Sequence, residues 1–330
     1  MRPFKYNRAP DARTATKALS ANPQAMFIAG GTNIIDLMRE GVEHPDELVD
    51  VSRLVLTQIK AAGGGVSIGA LAKNTDTANH PLIRQGYPLL SQAILAGASP
   101  QIRNMATNGG NLLQRTRCSY FYDVSMPCNK REPGSGCGAI SGINRNHAIF
   151  GASDKCVAVN PSDMCVALAA LNATINVQGA DGKTRAIPIA DFHRLPGDTP
   201  EKDHNLQHGE LITSIDLSKS NFAANSYYLK VRDRSSYAFA LVSVAAALEL
   251  SGGTIKNARI ALGGVAHKPW RATEAESFLT GKSATEENFR AAAEAAMKNA
   301  KPLEHNAFKV ELGKRAIVLA LKRATNGKAA

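Results

Sequence analysis

Phe27-Ile28-Ala29-Gly30-Gly31-Thr32-Asn33-Ile34 is an apolar run that breaks into a glycine pair, and Ala106-Thr107-Asn108-Gly109-Gly110-Asn111 repeats that chemistry further along the chain. Each stretch predicts a turn that can aim backbone N–H groups at one anion. Glycine lets a phosphate approach the main chain without a Cβ clash, while Thr and Asn add hydroxyl and amide donors. Two such loops suit a diphosphate, although a single Gly-Gly turn after a strand is more often structural. Neither loop has the dinucleotide fingerprint or the P-loop: Gly30-Gly31 lacks a third glycine, and no Gly-Lys-Ser or Gly-Lys-Thr occurs in either. That disfavours a Rossmann or nucleotide-hydrolase reading.

Outward from the first loop, the pattern predicts a small α/β unit. Phe4 to Tyr6 reads as a strand, Asp11 to Ser20 as a helix, Met26 to Ala29 as a strand, Ile34 to Arg39 as a helix turn and Glu47 to Val51 as a strand. From Ile59 the chemistry becomes that of hairpins around Gly63-Gly64-Gly65, with helices expected around Thr75 to His80 and Leu89 to Ala96. Pro161-Ser162-Asp163 precedes an apolar helix, Met164 to Leu171, in a capping arrangement. A hairpin is expected around Asp181-Gly182, joining Ala173 to Val177 with Thr184 to Ile189. The last third, with apolar Tyr237 to Leu250, alternating Ile255 to Leu262 and helices at Thr285 to Lys298 and Phe308 to Lys322, predicts a separate α+β domain. The expected division is therefore 1–220, in lobes of about 1–55 and 56–220, followed by 221–330.

The segment from Arg115 to Asp154 is rich in Gly, Pro, Asn and Cys and shows no sustained periodicity, so it predicts an irregular insertion spanning about 115–156. All 5 cysteines lie between Cys118 and Cys165. An odd number disfavours a disulfide framework and favours metal ligation with one thiol left over. Cys118, Cys128, Cys137 and Cys156 do not match zinc-finger spacing, and four thiolates suit a 4Fe-4S cluster or tetrahedral zinc equally well by counting. Cys165 lies in an apolar helical stretch, where a buried free thiol packs well. A metal cluster would supply the core that the insertion lacks.

With 330 residues, 44% of them hydrophobic, the chain can bury a sizeable core. No apolar run approaches a membrane span, and no leader is expected at the N-terminus. The formal charge of +11 is spread without a basic run, so a solvated basic face or docking onto acidic subunits is expected rather than nucleic-acid binding. The eight histidines form no helical metal-ligand pair, and no hydrolase elbow or triad occurs; no catalytic residue is assigned.

Taken in order, the two glycine stretches, Ile68-Gly69-Ala70, Pro161-Ser162-Asp163, Gly209-Glu210-Leu211-Ile212, and Lys230 with Arg232 carry a resemblance across nearly the whole chain. It resembles the FAD-binding subunit of molybdenum hydroxylases of the xanthine dehydrogenase and aldehyde oxidoreductase type. Asn111 to Cys118 and Gly263 to Arg271 are similar in particular to bacterial aldehyde oxidoreductase FAD subunits. The resemblance implies an α+β fold: a two-lobed FAD-binding domain followed by a C-terminal α+β domain that closes over the cleft. It further implies that Phe27, Ile28, Ala29, Gly30, Gly31, Thr32, Asn33 and Ile34, with Thr107, Gly109, Gly110 and Asn111, hold the diphosphate and ribityl region. Asp163 and Ile212 would lie along the adenosine and flavin edges, Lys230 beside the flavin ring, and Arg117 nearby.

Some members of that family carry a 4Fe-4S cluster in an insertion at this place, which assigns Cys118, Cys128, Cys137 and Cys156 as its ligands and leaves Cys165 structural. The implied partners are a molybdopterin-containing large subunit, a small subunit with 2Fe-2S clusters and an external electron acceptor. The expected compartment is the cytoplasm, or the periplasm if a partner bears the export signal. The alternatives are a self-contained FAD oxidoreductase, which would need an acid or base near the flavin, and a non-catalytic iron-sulfur scaffold.

Overall fold

The computed structural model describes residues 1–326; the last four residues of the expected C-terminal domain, 327–330, lie outside the described residues. The first element set is the predicted α/β unit. Strands β1 (Lys5–Arg8), β2 (Ala25–Ile28) and β3 (Glu47–Asp50) form a parallel sheet in the order β1-β3-β2. Helices Ala12–Ala21 and Ile34–Arg39 make the crossovers. Asp11 caps the first of them, its side chain accepting from the Thr14 N–H at 2.8 Å.

The second sheet is antiparallel: β4 (Ile59–Ala62), β5 (Gly65–Gly69), β6 (Thr174–Gln178), β7 (Thr184–Pro188) and β8 (Leu211–Leu217), ordered β4-β5-β8-β6-β7. The third contains β9 (Ser226–Val231), β10 (Val242–Ser251), β11 (Thr254–Gly263) and β12 (Trp270–Arg271), ordered β12-β11-β10-β9.

β10 shows why its run reads as continuously apolar. Val242, Val244, Ala246 and Leu248 face a core shared with helices Glu286–Met297 and Phe308–Thr325. Ala245 and Ala247 face the opposite core, which contains helix Asp163–Ala170. A strand covered on both faces shows no apolar-polar alternation. Helix Asp163–Ala170 is buried at every residue, and Ser162 caps it by accepting the Cys165 N–H at 3.0 Å.

Three features depart from the sequence-based expectation. The Tyr237 to Leu250 run becomes strand only at Val242; before it lies a loop in which Tyr237 takes a φ of 48°. β9, which carries Lys230, has a mixed burial pattern that hides its period. The second glycine loop turns into a short helix, Asn108–Leu112, with Thr107 accepting the Gly110 N–H at 3.2 Å. The insertion is irregular as expected, holding helices Ser119–Tyr122 and Gly138–Ser141 and an isolated bridge between Cys128 and Cys137. Among the described residues no helix is long and apolar enough to cross a membrane.

Candidate functional site

The two glycine loops lie side by side because Gly30 has no side chain. A Cβ there would stand 2.1 Å from the Met105 carbonyl oxygen, a backbone atom that cannot swing away. Gly31 adopts a φ of 71°, which glycine tolerates without strain. The second loop is anchored from behind. Asn108, fully buried, donates to Thr77 Oγ1 at 2.8 Å and accepts from Asn74 Nδ2 at 3.0 Å, while Asn74 Oδ1 accepts from Asn111 Nδ2 at 2.8 Å. Gly109 donates its N–H to the Ala70 carbonyl. Asn33 joins the first loop to the insertion by accepting the Arg115 N–H at 2.9 Å, and its Nδ2 is buried with no partner among the described residues.

Asp163 is the second anchor. It is 8% exposed and accepts from the Tyr228 hydroxyl at 2.7 Å and from Lys230 Nζ at 2.8 Å, and that ammonium also donates to the Ala96 carbonyl at 3.1 Å. Burial, then the Asp163 charge, pushes the Tyr228 phenol well above its ordinary pKa, so it stays a donor. Helix Asp163–Ala170 thereby joins β9 through a hydrogen-bonded ion pair with little solvent access.

Two cavities meet at this point. One, of about 410 Å³, is lined by Thr32, Asn33, Gly110, Asn111, Asp163 and Lys230, among others. The other, of about 560 Å³, runs along Thr116 to Tyr120 and Asn160 to Asp163. Arg117, Pro161, Asp163, Ala238 and Phe239 border both. Each volume falls in the ordinary range for small-molecule sites. The Arg117 guanidinium lies 5.4 Å from the Phe239 ring centre and 5.9 Å from that of Tyr122.

Of the sequence-predicted residues, Thr32, Asn33, Gly110, Asn111, Arg117, Asp163 and Lys230 come together around the smaller cavity. Gly30 and Gly31, with Thr32, border an open depression beside it. Thr107, Gly109 and Ile212 are buried behind the loop, and Phe27, Ile28, Ala29 and Ile34 are half-buried. Neither group lines that cavity. The sequence reading missed Tyr228, which lies two residues from Lys230 on one face of β9, a strand whose period its residue types do not report. It also missed the cavity-lining Tyr237 and Phe239, 58% and 50% exposed.

Cys118, Cys128, Cys137 and Cys156 line one common cavity, and none is in a disulfide. Burial pushes the Cys118 thiol up to about 12 and the Cys156 thiol up to about 11; a bound cation would reverse that preference. Among the described residues no group of three or more His, Cys, Asp or Glu closes on a single metal ion. Cys165 is fully buried in its helix, away from the other four. His147 brings its Nε2 to 3.1 Å from Cys118 Sγ.

Within the insertion, buried Lys130 donates to Asp203 at 2.5 Å and to the Pro200 carbonyl at 2.7 Å, and Arg115 pairs with Asp203 at 2.6 Å and with Glu43 at 2.5 Å. Burial alone would raise the Asp203 carboxyl; Lys130 and Arg115 outweigh it and hold the group well below the carboxylate range.

A parallel βαβ lobe, an antiparallel sheet and a closing third sheet, with paired glycine loops at their junction, define a flavoprotein class. Residues 2–219 match the family described as the FAD binding domain in molybdopterin dehydrogenase, and residues 227–324 match the CO dehydrogenase flavoprotein C-terminal domain. The chain belongs to this family, the FAD-binding subunits of molybdenum hydroxylases, and its role is that of the FAD-carrying subunit of such an oxidoreductase complex.

It is 47% identical to the aldehyde oxidoreductase FAD-binding subunit PaoB of Escherichia coli (strain K12), over 98% of this chain and 99% of that one. It is 32% identical to the glyceraldehyde dehydrogenase medium chain of Sulfolobus acidocaldarius, covering 84% of this chain and 82% of that one. Among solved structures, carbon monoxide dehydrogenase from Hydrogenophaga pseudoflava matches with a TM-score of 0.77 at 26% identity, covering 99% of both chains. Quinoline 2-oxidoreductase from Pseudomonas putida 86 shares the fold, with a TM-score of 0.76 at 24% identity over 99% of this chain and 98% of that one.

Proposed function

We propose that this chain is the flavin subunit of an aldehyde-oxidising complex, working with a molybdopterin-containing large subunit and a small 2Fe-2S subunit. In this reading an FAD-binding portion, residues 1–220, and a closing portion, residues 221–330, share one bound FAD, and a 4Fe-4S cluster is held by Cys118, Cys128, Cys137 and Cys156. The observation that carries the reading is the meeting of two ligand-sized cavities at Asp163 and Arg117, beside the glycine loops and next to the four-cysteine cavity. The aldehyde substrate class rests on the 47% identical relative.

The side chains fit that group. Asn33 Nδ2 is a buried donor with no partner among the described residues, Gly110 exposes backbone without a Cβ, Thr32 is exposed at the cavity, and Lys230 lies in the cavity wall paired with Asp163. Bound FAD supplies the electron exchange itself. The chain's own tasks are to hold the diphosphate at the loops, to fix Lys230 in place against Asp163, and to cover the cavity with Tyr237 and Phe239. The four thiols line one cavity in an irregular segment and form no disulfide, and ligation is the better reason for their convergence.

One absorption spectrum of the anaerobically purified chain, with iron and zinc quantified and the flavin released by acid, tests this reading. Released FAD with about four irons per chain supports it. Stoichiometric zinc with negligible iron overturns the cluster, and covalently retained flavin or FMN overturns the cleft assignment. Aldehyde-dependent dye reduction by the single chain would remove the subunit reading in favour of a self-contained oxidoreductase.

A further inference from the structure

We infer that His147 is a positioning residue that sets the redox potential of the proposed cluster by donating an Nε2–H···Sγ hydrogen bond to Cys118. The inference rests on the four-cysteine reading above. His147 is 5% exposed, its Nε2 lies 3.1 Å from Cys118 Sγ, and its Nδ1 has no partner among the described residues. A metal-bound thiolate has no proton to give, so with a ligated Cys118 the contact is a hydrogen bond only if the proton sits on Nε2. That tautomer leaves Nδ1 as a bare lone pair, so no N–H is stranded there.

The ring is held to this geometry from both sides. The His147 N–H donates to the Asn144 carbonyl at 3.0 Å, and Asn144 Nδ2 reaches the Ala139, Ile140 and Gly142 carbonyls. The His147 carbonyl accepts from Lys309 Nζ at 3.0 Å and from Asn306 Nδ2 at 3.2 Å. Those two residues lie at the start of the last helix, so the C-terminal portion clamps a residue of the insertion.

Hydrogen bonds to ligand sulfurs disperse the charge of the reduced state and raise a cluster's potential. Cys118 is the right sulfur for this control. It borders both the four-cysteine cavity and the 560 Å³ cleft, which Cys128, Cys137 and Cys156 do not reach.

The test is a potentiometric titration of the whole complex, followed through the cluster's electron paramagnetic resonance signal, for wild type, His147→Leu and His147→Gln. Both variants are expected to keep wild-type iron. The Leu variant should show a lowered potential, and the Gln variant, which retains an N–H donor, a partial recovery. An unchanged potential in His147→Leu at full iron content overturns the inference, as does loss of iron from both variants, which would make His147 a ligand or a folding requirement. A wild type without any cluster signal refutes the four-cysteine reading itself, a failure visible before any variant is made.

Discussion

The cleft beside the glycine loops and the cysteine insertion are neighbours built by opposite means. The cleft is carried by strand ends and helix starts: its loops follow β2 and precede helix Asn108–Leu112, and its wall is β9. The insertion has two helices of four residues each and replaces a backbone ladder with polar side chains bonded to carbonyls. Arg131 serves the Tyr120, Phe121 and Met126 carbonyls, and Asn129 takes the N–H groups of Gly134 and Gly136 while donating to the Lys155 carbonyl. Order in the first region is distributed over many equivalent bonds. In the second it hangs on a few side chains that each serve several backbone groups, so that the loss of one strands more than one carbonyl or N–H.

The largest test of that contrast removes one thiol. Cys128→Ser should abolish the iron-sulfur absorbance and leave the insertion open to protease, because ligand bonds no longer offset its chain entropy. Flavin should be retained at reduced occupancy, since Asn33 ties the first loop to Arg115 at the insertion's start. Equal loss of flavin and iron would mean the two regions are one unit.

Asp203→Asn comes next. It strips the buried Lys130 ammonium of its anion, and breaking such a pair costs about 3–5 kcal/mol. Chemical denaturation would read this, and a loss under about 1 kcal/mol would show that the Pro200 carbonyl alone suffices.

Gly30→Ala probes the cleft. Its Cβ would meet the Met105 carbonyl, driving the glycine loops apart, with overpacking of about 1–3 kcal/mol and at least tenfold weaker FAD binding by fluorescence titration. Unchanged affinity would show that the loops need not touch.

A smaller effect follows from Lys309, whose burial lowers its pKa from 10.5 to about 7. Between those values the unfolded chain binds the proton and the folded one does not, so stability rises with pH from about 7 to 10.5. The penalty is complete below that window and absent above it. Lys309→Met should flatten this rise in denaturation curves measured across the window. Last, Cys165→Ala should leave iron and flavin unchanged, with a modest loss in thermal unfolding from the small cavity; lost iron would place Cys165 among the ligands.

The same contrast governs what could be read in advance. The parallel lobe, the hairpins and the terminal helices were legible because apolar periodicity, Asp11 and Ser162 report directly on local structure. β9 escaped, as Tyr228 and Lys230 turn their polar ends inward toward Asp163, a partner remote in sequence. The insertion could be located by composition but not built, since bonds such as Lys130 to Pro200 or Asn306 to His147 have no local signature. Of the residues expected at the cofactor, Thr32, Asn33, Gly110, Asn111, Arg117, Asp163 and Lys230 border the cavity, whereas Thr107, Gly109 and Ile212 support the loop from inside. A motif records its scaffold and its contacts together.

Asp163 also sets a schedule for the ribosome. Its helix is translated well before Tyr228 and Lys230, which complete its bonding, and Asn306 and Lys309, which clamp the insertion at His147, come later still. Both regions therefore take bonds from residues far later in the chain. Assembly of each is thus a long-range event, and local folding of either segment alone leaves Asp163 and His147 short of the partners that hold them.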